Sequence, residues 1–145
     1  MTTDHNPATE VLSAYAAAVN AKDVEAFVAL YDEDVHVYDT WGTWEYNGIE
    51  AWRAMAADWF GSLGDERVEV RFGDVRSAGG DVRSAGSGDD VAFAHAAVTF
   101  VAVTASGERL RAMTNRLTAC LVRRADGWRI AHEHTSLPMT WRPAS

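Results

Sequence analysis

The stretch RLTACLVRRADGWRIAHEHTS, residues 116–136, decides how the rest of this chain is read. Two strand-like runs flank Ala125, Asp126 and Gly127, and a short Gly-containing loop between such runs marks an antiparallel hairpin. In the second run, strict alternation puts Trp128, Ile130, His132, His134 and Ser136 on one face. Arg129, Ala131, Glu133 and Thr135 take the other. Trp128 and Ile130 make the first face the more apolar, so it is expected to meet the core and to carry both histidines inward. A one-residue change of register would reverse every one of these assignments.

Upstream, RVEVRFGDVRSA (67–78) and DVAFAHAAVTFVAV (90–103) add two long strand-like segments to ERLRAMTNRLTACLVRR (108–124). Turns near 85–90, at ASGE and at ADG are expected to join them as antiparallel hairpins. GDVRSAG occurs twice in tandem, at 73–79 and 80–86. Two seven-residue copies fall far short of a repeat architecture and read as a duplication lengthening a surface hairpin.

The first third of the chain has a different period. Val11, Leu12, Tyr15, Ala18 and Val19 recur at three- and four-residue spacings and predict a helix over 8–20, with Asn6 as cap and Pro7 in the first turn. A second helix is predicted over 24–31 behind Asp23, and a third over 49–63 after the Asn47-Gly48 turn. VHVYD (35–39) alternates as a strand, and WGTWEYNG (41–48) reads as a turn and short arm. Three helices and a long meandering sheet make an α+β domain, with helices on one face of a curved sheet.

One domain accounts for 145 residues. A net charge of −8 argues against nucleic acid or an anionic membrane as partner, since both select a basic face. The single cysteine, Cys120, sits in an apolar strand pattern and is expected to be a buried structural thiol in a reducing cytoplasm. No signal-peptide pattern or membrane-length apolar run is seen. Six tryptophans (Trp41, Trp44, Trp52, Trp59, Trp128 and Trp141) are many for this length and suggest a thick core or an aromatic cavity. No phosphate-binding glycine loop, G-x-S-x-G elbow or C-x-x-C pair occurs.

The helix–helix–VHVYD–arm–NGIEAWRAM order, followed by R-x-T, a G-W-R-I turn and H-x-H-x-S, resembles the SnoaL-like branch of the nuclear transport factor 2-like superfamily over nearly the whole chain. The resemblance implies a cone-shaped sheet around the helices, a deep apolar pocket at its open end, and a homodimer joined through the outer sheet face. The superfamily includes ketosteroid isomerases, polyketide cyclases, dehydratases and epoxide hydrolases, most without a cofactor, together with binding and association modules that catalyse nothing. Fold alone therefore does not assign function.

Five residues are candidates for chemistry. His132 and His134 can exchange protons near neutrality. Asp39 shares a strand face with Val35 and Val37, so the apolar row would place a carboxylate at the pocket. Tyr38 could donate to a substrate oxygen, although it alternates away from Asp39. Arg116 interrupts an uncharged stretch and could hold an oxyanion or form a salt bridge on the outer face. Trp41, Trp52, Trp59, His95 and Trp128 are the expected pocket wall. A metal site would need His132 and His134 to be joined by His95 or Asp39, and a lone H-x-H pair argues little for it.

The reading that follows is an isomerase or cyclase using cofactor-independent acid–base chemistry on a small, mostly apolar carbonyl compound, polyketide- or steroid-like. Dehydration or epoxide opening would use the same groups. The rival is a non-catalytic ligand-binding or dimeric association module.

Overall fold

A computed structural model describes residues 6–79 and 90–139. The second GDVRSAG copy, the turn after it and Trp141 lie outside the described residues; the first copy continues a strand as far as Gly79.

Helix α1, Pro7–Ala21, starts as its sequence dictates. Asn6 is extended and its side-chain oxygen accepts from the Ala8 N–H at 3.0 Å, while Pro7 occupies a position whose N–H would have no helical partner. The same Asn6 amide donates to Ser77 Oγ at 3.1 Å, tying the helix start to the sheet. Asn6→Ala is expected to lower stability by about 1 kcal/mol, read as a shift in urea midpoint with an unchanged slope.

Helix α2, Val24–Val28, is capped by Asp23 and is shorter than its pattern predicts. Strand β1, Tyr31–Tyr38, takes over the end of the expected helix. A distant partner causes the difference: Tyr31 pairs with Ile130, and the Ile130 N–H donates to the Leu30 carbonyl at 2.8 Å. A two-residue arm, β2 (Tyr46–Asn47), leads through Gly48 into α3, Ile49–Ser62. Gly48 has φ +85°, a backbone shape that favours glycine. Among the described residues no helix is long and apolar enough to cross a membrane.

The remaining strands are β3 (Arg67–Gly79), β4 (Val91–Val103), β5 (Arg109–Arg124) and β6 (Gly127–Ser136). They form one six-stranded sheet in the order β2-β1-β6-β5-β4-β3. The hairpins are antiparallel, as expected, and only β1 against β6 is parallel. The result is α+β with a mostly antiparallel sheet.

The core lies between the helices and the inner sheet face. Phe27, fully buried, is its hub: its ring packs against Tyr15 at 5.3 Å, Tyr31 at 5.2 Å, Phe60 at 5.7 Å and Trp52 at 6.0 Å. Beneath them β4 and β5 present Ala92, Ala94 and Ala119, whose small side chains leave the sheet surface shallow enough for large rings to sit on it.

One irregularity rearranges the candidate site. Across β5 and β6, Leu121 faces Ile130 but Cys120 faces His132, so Ala131 is an extra residue with no partner of its own. This β-bulge reverses the alternation of β6 from that point on. Ile130 remains inward and buried, as the sequence pattern predicts. Beyond the bulge Glu133 and Thr135 are the buried residues, and His134 is exposed.

Candidate active site

A cavity of about 750 Å³ opens between α1, α3 and the inner sheet face. Its walls are mainly aromatic and aliphatic: Tyr15, Phe27, Trp52, Trp59, Phe100 and Met113 contribute, and the Trp59 and Phe100 rings meet edge to face at 5.8 Å. Trp41, 57% exposed, stands at its rim. Arg111, also part of the lining, is held by Glu66 at 2.8 Å.

Against this apolar wall a few polar groups converge: Asp39, Asn115, Glu133 and Thr135. Asp39 continues the inward row of Val35 and Val37. Thr135 Oγ1 donates to Asp39 Oδ1 at 2.9 Å and itself accepts from the Thr40 N–H at 3.1 Å; that N–H also reaches Asp39 Oδ1 at 3.1 Å. Burial raises the Asp39 carboxyl above its ordinary range, while these hydrogen bonds pull the other way.

Glu133 is almost completely buried. The Tyr31 hydroxyl donates to its Oε1 at 2.7 Å, so β1 and β6 each supply one member of a buried pair. Desolvation pushes the Glu133 carboxyl up to about 7; the Tyr31 hydrogen bond opposes this and the charge of Asp39 adds to it. Tyr15, also buried, is driven well above the usual phenol range by its own burial and then by the fields of Glu133 and Asp39, so it stays a neutral hydroxyl at the cavity wall.

Two carboxyl groups displaced toward neutrality in one apolar cavity, Glu133 in part by the charge of Asp39, can divide the acid and base roles of a proton transfer. Asp39 is the less buried of the two and is better supplied with donors, so it ionises first. Glu133, pushed up to about 7, keeps its proton to higher pH than an ordinary carboxyl.

The other expected residues lie elsewhere. His132 and His134 point to the outer sheet face, because of the bulge at Ala131. His132 Nδ1 donates to the His36 carbonyl at 2.7 Å, and His134 lies 5.4 Å from the Tyr38 ring. Tyr38 shares that outer face. Arg116 is exposed there too, its Nε donating to Ser136 Oγ at 3.2 Å. His95 stacks on Phe93 at 6.5 Å, again outside. Trp128 packs against the core but does not line the cavity. Trp44 is 85% exposed and belongs to neither core nor wall. Cys120 is exposed rather than buried, since it faces out with His132.

His132 and His134 thus lie on the opposite face of the sheet from Asp39. Among the described residues no three His, Cys, Asp or Glu side chains come together as metal ligands.

Sequence reasoning passed over Glu133, Thr135, Tyr15 and Asn115. For Asn115 a signal existed: Leu117, Ala119 and Leu121 fix the inward phase of β5, and extending it backward turns Asn115 in and Arg116 out. Tyr15 lay in the apolar stripe of α1, its hydroxyl unweighed.

Comparison with known proteins agrees with the fold. The sequence model of the SnoaL-like domain family matches residues 9–140. An NTF2-like protein of unknown function from Pseudomonas putida KT2440 superposes with a TM-score of 0.73 at 20% identity, over 92% of this chain and 85% of that one. ActVI-ORFA from Streptomyces coelicolor gives 0.71 at 14% identity, over 90% and 93%. Aln2 from another Streptomyces strain gives 0.70 at 20%, over 90% and 87%. No functionally curated protein matches.

Proposed function

From a chain that belongs to the SnoaL-like domain family, we propose an isomerase or cyclase that moves a proton α to the carbonyl of a mostly apolar, polycyclic ketone, by side-chain acid–base chemistry without a cofactor. The convergence of Asp39 and Glu133 on one aromatic cavity carries this reading. Asp39, ionised, takes the proton. The enolate oxygen is met by the Tyr15 hydroxyl, which donates without ionising. Glu133, protonated, returns a proton at another position; Asp39 then releases the proton it took to solvent and Glu133 regains one from solvent, which restores the starting state. Aromatic walls suit a flat ring system of polyketide or steroid type. We read the domain as a single unit whose sheet wraps into a cone around this cavity.

The first step is measurable without knowing the product. In D2O, 2-tetralone or a 3-ketosteroid is expected to exchange its α-protons faster with the protein than with buffer, followed by proton NMR. Exchange at the buffer rate for every cyclic ketone tried would end the reading.

The outer sheet face supports a further element of the proposal, a homodimer. Val91 and Phe93 are 55% and 47% exposed there, and Tyr38 and Cys120 add apolar surface. Phe93→Glu is expected to convert the dimer to monomer in sedimentation velocity. A parent chain that sediments as a monomer at its highest soluble concentration would refute it.

A further inference from the structure

Asn115 occupies a position where an apolar residue would be expected. It is 2% exposed, on the inward row that continues through Leu117, Ala119 and Leu121, with Val98 opposite it on β4. Neither its Oδ1 nor its Nδ2 has a hydrogen-bond partner in the protein, although both are buried. Its cross-strand partner on β4, Val98, offers it no polar group. An amide left wholly unmet in an apolar wall is costly, and Leu would fit the row without that cost. The side chain lines the cavity.

We infer that Asn115 is a recognition site for a ligand carrying a hydrogen-bond donor and an acceptor on neighbouring atoms, which makes the substrate class a flat, apolar α-hydroxy ketone. The inference rests on the proposed function for the cavity and its ring-shaped carbonyl ligand. A simple ketone satisfies only Nδ2 and leaves Oδ1 empty-handed; a hydroxyl next to the carbonyl serves both.

Strand geometry sets the length of this ligand. Leu117 pairs with Thr135 and Ala119 with Glu133, so along the inner face the rows run Asn115, Thr135, Glu133. Each row is two residues, roughly 7 Å, from the next. Asp39, bonded to Thr135, therefore sits beside the middle row. A molecule gripped at Asn115 places its adjoining ring carbon at Asp39 and its far end toward Glu133, a span of roughly 13 Å that suits a fused skeleton of two or three rings.

Three bicyclic probes test this by isothermal titration calorimetry: 2-hydroxy-1-tetralone offers donor and acceptor, 1-tetralone the acceptor alone, and tetralin neither. The hydroxy ketone is expected to bind the parent protein at least about tenfold tighter than 1-tetralone, one paired group's worth of discrimination. In Asn115→Leu the ratio is expected to fall to near one, with tetralin bound at least as well as before. Thermal melting checks that this variant folds, and Asn115→Val serves the same comparison if Leu overfills the row. Equal affinity across the series in the parent protein, no binding at all, or a preference that survives in both variants would overturn the inference. Asp39→Asn separates it from the catalytic reading: loss of α-proton exchange with the binding preference intact shows the two standing independently, and exchange that proceeds without any preference sinks the Asn115 site alone.

Discussion

Asp39→Asn is expected to slow α-proton exchange by about 10²- to 10⁴-fold while leaving the fold intact, the loss that follows removal of a positioned general base. Asn keeps the shape of the side chain and still accepts from Thr135 and from the Thr40 N–H, the bonds that hold Asp39 in the cavity wall. What it loses is basicity. His132→Ala serves as the contrasting variant: its ring lies on the outer face, bonded to the His36 carbonyl, and its removal is expected to leave exchange within a few-fold of the parent. If the two variants changed places, with His132 essential and Asp39 dispensable, the cavity would not be the site of chemistry.

Glu133→Gln is expected to be the more stable protein above pH 7, by about 3 kcal/mol, and no more stable than the parent near pH 4.5. The sign follows from the carboxyl's displacement, from an ordinary 4.5 to about 7 in the folded chain. Below pH 4.5 both folded and unfolded chains hold the proton, so its burial costs nothing extra. Between 4.5 and 7 the unfolded chain releases it first, and stability drains away as pH rises. Above 7 the folded chain carries a desolvated charge and the full cost is in place. Gln cannot ionise, yet it still accepts the Tyr31 hydroxyl. Urea midpoints at pH 5 and pH 8 for the two proteins measure the difference. Parallel pH dependences would mean that Glu133 is not held neutral by its surroundings. The same displacement predicts that isomerisation by the parent protein, which needs a proton from Glu133, declines above about pH 7 as that donor is lost.

Much of this architecture can be read from local sequence because it is locally determined. Asn6 and Pro7 start α1 through contacts within one turn, and Val35, Val37 and Asp39 share a face because strand side chains alternate. The candidate site was only half legible, for a physical reason. Trp128 and Ile130 set an inward phase correctly, but that phase holds only until Ala131, where the pairing of β6 with its two neighbours inserts a bulge. Nothing in the residues around Ala131 requires it; the neighbours do. The partnership of Tyr31 and Glu133 spans 102 positions in sequence, and no window along the chain contains both. A charged residue that faces the core also runs against the hydrophobic pattern used to find the core.

That bulge gives the strand a second set of side chains in reserve. With Ala131 bulged out of the pairing, Glu133 and Thr135 look into the cavity and His132 and His134 look out. Drawing Ala131 into regular pairing, so that the bulge flattens and the strand slips by one residue against β5, would exchange the two sets along the rest of the strand, presenting imidazoles where carboxyl and hydroxyl now stand, with the hairpin turn at residues 125–127 untouched. A one-residue slip of this strand is thus a larger chemical step here than any one substitution. A scaffold of this kind can change its reaction by sliding a strand rather than by rebuilding a site residue by residue.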